Sequence, residues 1–391
     1  MKKYILLSLI SIGLLSLGSC NSSRISSTSI ITSVQEITTS INGVDKKGNV
    51  FLNLGISSLN NLNVVYGDEV EVSLGDLKFK MPYADTLTCV GYGNNVLINS
   101  ENSLSLRACY EAFAFNSGIF YYDSNFKTYE YRDNKGPNDY PVTIRISEKG
   151  KYKEDYESTH IALIENSPSI SKEVYSNFRP LSGGNLKENF LFRSSSPIDD
   201  SINRAQTANS LLSQYNIKYV WNLSDTANEA DFTISKAQFD VTNYTSLMKN
   251  NSVLFNQLAS EVLSDSFFIG LKPLFETLLT DKENIMFHCD AGRNRTGMVA
   301  ALLMAIGGAS YEEIAADYML SYINLNGVEI NSNIYNHIKK NTIDSIFLKM
   351  TSKSSLEELT KETIQTEVNS RLLKAGLTQE KLDNIKIAIS K

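Results

Sequence analysis

His288-Cys289-Asp290-Ala291-Gly292-Arg293-Asn294-Arg295-Thr296-Gly297 lies between an apolar run and a helix-forming one. Asn284-Ile285-Met286-Phe287-His288 reads as a buried strand, and Met298–Ile306 as a strongly apolar helix stopped by Gly307-Gly308. A strand therefore delivers Cys289, and a helix begins near Thr296. The backbone N–H groups of such a loop, with a helix N-terminus behind them, form a ready-made anion site. Gly292 lets the backbone approach closely or take positive φ. Arg295 returns to the loop with a planar fork suited to two phosphate oxygens. A thiol in that positive potential is favoured as thiolate. Facing a bound phosphate, it is a nucleophile already aimed at phosphorus. Asp290, Ala291, Gly292, Arg293, Asn294 and Arg295 are thus the expected phosphate cradle.

Outward from the loop, strands and helices alternate. The helix-like stretch Ala205–Tyr215 precedes the β-branched and aromatic run Ile217–Leu223. Ser310-Tyr311-Glu312-Glu313 has the form of a capping box, with comparable starts at Ser355 and Thr378 and a stop at Gly376 between them. This pattern predicts an α/β domain over 151–391, a mainly parallel sheet flanked by helices with a helical C-terminal tail. The chain before it reads differently. Val50–Leu54, Glu69–Leu74 and Pro141–Ile146 are short strands, the last two with period-two alternation. They predict a small all-β domain over 34–150, a barrel or a sandwich, in which Gly91-Tyr92-Gly93 is a turn.

His-Cys-x5-Arg-Thr is also the signature of the protein tyrosine and dual-specificity phosphatase superfamily. The likeness extends to Leu191-Phe192-Arg193-Ser194-Ser195-Ser196-Pro197, Asn203-Arg204-Ala205, Asn222-Leu223-Ser224-Asp225 and Gly308–Ile314 with Asp317-Tyr318-Met319. Over about Asn177–Tyr335 the chain resembles the bacterial tyrosine-phosphatase branch. The resemblance implies that Cys289 forms a phosphocysteine intermediate and that Arg295 binds the phosphoryl oxygens. Thr296 would help the thiolate leave, and His288 would hold the loop and favour the thiolate. Arg193 and Arg204 fall in matching segments and would orient substrate. Members of this branch often carry Gly-Lys-Asp-Arg where this chain has Gly292-Arg293-Asn294-Arg295. Asn294 removes a carboxyl group that could protonate the leaving oxygen, since an amide is no general acid at neutral pH. The role passes to Asp225 first, Asp290 second and Asp231 third.

The expected activity is hydrolysis of phosphate monoesters, with phosphotyrosine or broad aryl phosphates first. Phosphoinositides or inositol phosphates come second, because Arg293 stands where lipid and inositol phosphate phosphatases of this superfamily carry a second cation. The non-enzyme alternative is a catalytically weak phosphate-binding envelope protein. A sulfurtransferase or arsenate reductase also uses a Cys-x5-Arg-like loop, but the flanking segments favour neither. No cofactor is implied, and none of His160, His288 and His337 has metal-ligand spacing with a cysteine.

Lys47-Gly48-Asn49-Val50, Gly67–Val72 and Asn102–Arg107 in the β-rich part resemble the C-terminal β-barrel domain of the SAM hydroxide adenosyltransferases. In those enzymes the active site needs a second domain, so a structural or binding role is expected here.

The net charge of −6 argues against a general nucleic-acid surface. Lys2 and Lys3 before the apolar run Tyr4–Leu17 read as an export signal, too short to span a bilayer comfortably. Leu17-Gly18-Ser19-Cys20 resembles a bacterial lipobox. It implies a signal peptide over 1–19, lipidation of Cys20, a polar tether over 20–33 and anchorage in the bacterial cell envelope. Cys89 and Cys109 could pair or remain buried free thiols.

Overall fold

The computed structural model describes residues 36–100, 103–280 and 283–391. The signal, Cys20 and the tether lie outside the described residues. Among the described residues, ten strands precede residue 150: β1 (Glu36–Thr39), β2 (Ile41–Val44), β3 (Val50–Leu52), β4 (Glu69–Leu74), β5 (Leu77–Ala84), β6 (Asn95–Ser100), β7 (Ser103–Ala108), β8 (Phe120–Asp123), β9 (Thr128–Tyr131) and β10 (Val142–Glu148). Eight of them form one sheet in the order β1-β10-β4-β5-β6-β7-β3-β2, while β8 and β9 make a separate hairpin. The end strands β1 and β2 are separated only by Ser40, whose carbonyl accepts from the Asn53 amide at 2.9 Å. One bent segment therefore borders both edges and closes the sheet on itself, leaving few unpaired edge groups.

Val70, Val72 and Leu74 of β4 meet Leu104, Leu106, Val142 and Ile144 in the interior of this sheet. The alternation of Glu69–Leu74 predicts one wet face, yet both faces are covered. Lys151 pairs with Glu69 at 2.5 Å and Arg145 with Glu71 at 2.6 Å, so each buried carboxylate is met by a cation that remains exposed. The all-β expectation holds for the strands, but short helical turns at Ile56–Leu59 and Phe113–Asn116 interrupt them.

The second sheet runs β11 (Arg179–Pro180), β12 (Leu191–Ser194), β15 (Ile285–His288), β13 (Tyr219–Asn222), β14 (Val253–Phe255) in spatial order. All pairs are parallel except β11 with β12, an antiparallel edge that needs no crossover helix. The helix Asn294–Ile306 is buried along nearly its whole length, which explains why its sequence is apolar all round. Ser310 and Glu313 form the expected capping box on the helix Tyr311–Asn326, the Glu313 carboxylate accepting from the Ser310 amide at 2.7 Å. Ser355 opens only the short turn Leu356–Glu358. The long helix Lys361–Lys374 starts instead from the Thr360 cap.

The described residues fall in one compact unit. Tyr92 donates its amide to Ser345 Oγ at 3.0 Å, Lys349 pairs with Glu111 at 2.9 Å, and Asn341 Nδ2 donates to the Cys89 carbonyl at 3.4 Å. The β-rich part is thus docked on the helical segment 333–351. Among the described residues no helix is long and apolar enough to cross a membrane.

Candidate active site

Cys289 follows the last residue of the central strand β15 and is 4% exposed. Each carbonyl of the next three residues is taken up from behind. Ser196 N donates to Asp290 O at 2.8 Å, Asn177 Nδ2 to Ala291 O at 3.3 Å, and both Asn177 Nδ2 and Arg193 Nη2 to Gly292 O at 3.1 and 2.8 Å. In a trans peptide the N–H points opposite to the C=O. Fixing three carbonyls backward therefore turns the amides of Ala291, Gly292 and Arg293 to the other side, as an anion cradle requires. Gly292 has φ +66, and a Cβ there would run into the backbone carbonyl of Ser194. No other residue type fits without moving β12.

The brace behind the loop is ionic. Asp317 lies between two arginines, accepting from Arg179 Nε at 2.8 Å and from Arg193 Nη1. Arg179 also reaches the Asp317 carbonyl at 2.8 Å, and both guanidiniums reach Ser321 Oγ at 3.1 Å. The two cations hold the buried Asp317 carboxyl below its usual range against the opposing cost of burial. Arg193 is fully buried. The structure thus puts it behind the loop as a support, where the sequence resemblance had it orienting substrate. Arg204 is also buried. It donates to the carbonyls of Ile202 and Ile164, the latter at 2.8 Å, and lies 4.5 Å over the Tyr175 ring. None of these partners belongs to the loop.

Arg295 and Asp290 meet at the mouth, Nη2 to Oδ2 at 2.7 Å, and Arg295 Nη1 donates to Leu223 O at 3.3 Å. That second bond brings the end of β13, and Asp225 just beyond it, to the rim of the loop. The Asp225 carboxyl is pushed above its ordinary range, first by burial and then by Asp290, Asp199 and Glu229. A bond from Asn222 Nδ2 at 2.9 Å acts the other way. Asp231 lies within the helix Ala227–Lys236, exposed.

His288 is completely buried, with Nδ1 3.3 Å from the Cys289 carbonyl and Nε2 unpartnered. Burial pulls its pKa down to about 4. The ring is therefore neutral at neutral pH and cannot favour a thiolate by its charge. Its part is to hold the loop. The Thr296 hydroxyl is likewise buried without a partner, hence uncommitted. Asn294 is exposed, and Arg293 stacks on Tyr322 at 4.8 Å. Among the described residues no group of three or more His, Cys, Asp or Glu side chains is placed to hold a metal ion. Cys89 and Cys109 are both buried free thiols.

Sequence reasoning missed Asn177, Asp317 and Ser321 as parts of this assembly. The available signal was the pair Arg179 and Arg193 in short strands that must be covered on both faces, which demands a buried carboxylate.

None of the curated proteins compared with the chain matches it. Among solved structures, the chain is similar to an uncharacterized conserved protein from Thermotoga maritima at 19% identity and TM-score 0.23. That match covers 28% of this chain and 36% of the other. It is also similar to the core catalytic domain of the PP-IP phosphatase SIW14 from S. cerevisiae in complex with citrate. There the identity is 16% and the TM-score 0.24, covering 46% of this chain and 99% of that one. The family model described as the tyrosine phosphatase family matches residues 171–388, more than half of the chain and all of the loop with its brace. On that match the chain belongs to the tyrosine phosphatase family.

Proposed function

We propose that the protein hydrolyses phosphate monoesters through a phosphocysteine intermediate on Cys289, with phosphotyrosyl and other aryl phosphates as preferred substrates. The observation that carries this reading is the backward fixing of the loop carbonyls, which turns the three amides that follow Cys289 to the opposite side of the loop. In the first step Cys289 Sγ forms a bond to phosphorus while the bond from phosphorus to the leaving oxygen breaks, and Asp225 gives that oxygen its proton. In the second step Asp225 takes a proton from water. The water oxygen bonds to phosphorus, the S–P bond breaks, and the Thr296 hydroxyl hydrogen-bonds to the departing thiolate. The stacking of Arg293 on Tyr322 favours aryl phosphates over substrates with several phosphates, because the second loop cation is already engaged.

The test is a comparison of rates on a phosphotyrosine peptide, a phosphoserine peptide and a phosphoinositide, with Cys289→Ser as control. The reading expects metal-independent, vanadate-sensitive turnover, fastest on the first substrate and abolished in Cys289→Ser. Phosphate-ester binding should survive in that variant, because Arg295 and the amides remain. Arg295→Lys should damage both, since an ammonium cannot reproduce the bidentate fork. Absence of turnover on every monoester would leave only the phosphate-binding reading.

We further infer, from Leu17-Gly18-Ser19-Cys20, an extracytoplasmic lipid anchor at Cys20. Two or more acyl chains give stable anchoring. A Cys20→Ser protein that stays with membranes through a carbonate wash would count against it.

A further inference from the structure

Asn222 closes β13 in register with His288, the residue before Cys289. Its side chain is fully buried, yet each of its hydrogen-bonding positions is used. Oδ1 accepts from the amides of Ser224 and Asp225, each at 3.0 Å. Nδ2 donates to Asp225 Oδ2 at 2.9 Å and to the Tyr244 hydroxyl at 3.0 Å. Backbone donors can meet only an oxygen, so the orientation of this amide is fixed by its neighbours, with the NH₂ group toward Asp225 and Tyr244.

The groups around Asn222 are held as well. Tyr244 is completely buried, its amide donating to Asn209 Oδ1 at 3.0 Å and its ring meeting that of His288 edge to face at 5.9 Å. On the far side of Asp225, Thr226 caps the helix Ala227–Lys236 in a reciprocal box with Glu229. The Thr226 amide donates to the Glu229 carboxylate at 2.8 Å, and the Glu229 amide to Thr226 Oγ1 at 3.3 Å. Asp225 therefore stands on a turn clamped at both ends. A protonated carboxyl accepts best on its carbonyl oxygen, so with Oδ2 tied to Asn222 the proton belongs on Oδ1.

We propose that Asn222 is the positioning residue of the general acid: seated on Tyr244, it holds Asp225 at the rim of the phosphate loop before substrate arrives and directs the acid proton to Oδ1. This rests on Asp225 being the acid of the proposed reaction. An N–H donated to a carboxylate favours the ionised form. Asn222 thus works against burial and the neighbouring carboxylates, which push Asp225 upward. One buried amide sets both where the acid stands and how readily it keeps its proton, so both change when the NH₂ group is lost.

The test is kcat/KM against pH, which reports groups of the free enzyme, on a phosphotyrosine peptide and on an activated aryl phosphate. Asn222→Ser is the sharper variant. A serine hydroxyl still accepts from the amide two residues on, so the turn is kept, but it is too short to reach the Asp225 carboxylate. The alkaline limb of its peptide profile should move to higher pH, because the acid form gains once the donated N–H is gone. At its optimum it should lose about 10–10²-fold on the peptide, the cost of a misplaced group. The loss on the activated aryl phosphate should be much smaller, since that leaving group needs little protonation. Asn222→Ala, which gives up the turn as well, should show the same pattern more strongly. A limb that stays at the wild-type pH in Asn222→Ser overturns the proposal. So does an equal loss on both substrates, which is what damaged folding alone would give. Asp225→Asn separates the two readings. If it keeps the alkaline limb, Asp225 is not the acid and both readings fall; if it abolishes the limb while Asn222→Ser leaves it in place, only the role of Asn222 falls.

Discussion

Replacing Asp290 by Asn should tighten the binding of phosphate. Without a ligand, the Asp290 carboxylate occupies one tooth of the Arg295 fork at 2.7 Å, and an incoming phosphoryl group must displace it to be held by both. The Asp290 side chain is 52% exposed and that of Arg295 17%, so the pair is worth what surface pairs are worth, about 0.2–1 kcal/mol. The second contribution is repulsion between the carboxylate and a phosphate dianion, roughly 1 kcal/mol per unit charge at about 4 Å in water. Together these amount to about 2–3 kcal/mol, a roughly 30- to 160-fold lower inhibition constant for inorganic phosphate or vanadate. The assay is competitive inhibition of aryl phosphate hydrolysis at low and at high salt. The gain should shrink at high salt, because exposed charges are screened over about 10 Å at 0.1 M. An inhibition constant that stays put or rises in Asp290→Asn at low salt refutes the displacement argument. A simultaneous collapse of kcat on poor leaving groups would move the acid role from Asp225 to Asp290.

Asp225→Asn should slow tyrosyl or alkyl phosphates by about 10²–10⁴-fold while sparing an activated aryl phosphate. The protonated form is the acid, and its pKa is raised. Wild-type kcat on poor leaving groups should therefore hold to higher pH than an ordinary carboxyl allows and then fall, and the kcat profile of Asp225→Asn should lack that alkaline limb. Asp317→Asn leaves the buried Arg179 and Arg193 short of counter-charge and should cost about 3–5 kcal/mol, read as a lower urea midpoint; an unchanged midpoint would show that the brace is not needed. His288 protonates near 6.5 when unfolded but only at about 4 when folded. Stability should be full above about 6.5 and decline by up to about 3 kcal/mol as pH falls toward 4, and His288→Asn should lack that part of the slope in denaturation series.

The loop was legible in the sequence because what delivers it is local: an apolar strand, a glycine at the position of closest approach, and an apolar helix directly after. The Ser310 box was legible for the same reason, while Ser355 matched the same pattern and opened only one turn. What escaped was non-local. Arg193 stands in a segment that resembles phosphatases, but only the approach of Asp317, more than a hundred residues later, turns it toward the back of the loop. Glu69 and Glu71 alternate with valines as on a wet strand face, and their burial depends on Lys151 and Arg145 arriving from elsewhere in the chain. The cavity between Tyr92 and Tyr110 of the β-rich part and the helix Tyr311–Asn326 has no sequence signature, since its walls come from segments more than two hundred residues apart.

The helix Tyr311–Asn326 serves two masters along one rod. Asp317 and Ser321 support the loop from one flank, while Tyr318, Tyr322 and Asn326 form the neighbouring flank at four-residue spacing and face the cavity. Substitutions on the two flanks cannot be independent, because a rotation or slide that relieves one displaces the other. Over evolutionary drift, or in a combinatorial library, changes at Asp317 or Ser321 should therefore be tolerated only in particular backgrounds at Tyr322 and Asn326. Coupling between such neighbouring positions commonly runs to about 0.5–3 kcal/mol. A chimera carrying a foreign β-rich part inherits the same constraint, for it must present a surface that this one rigid helix already fits.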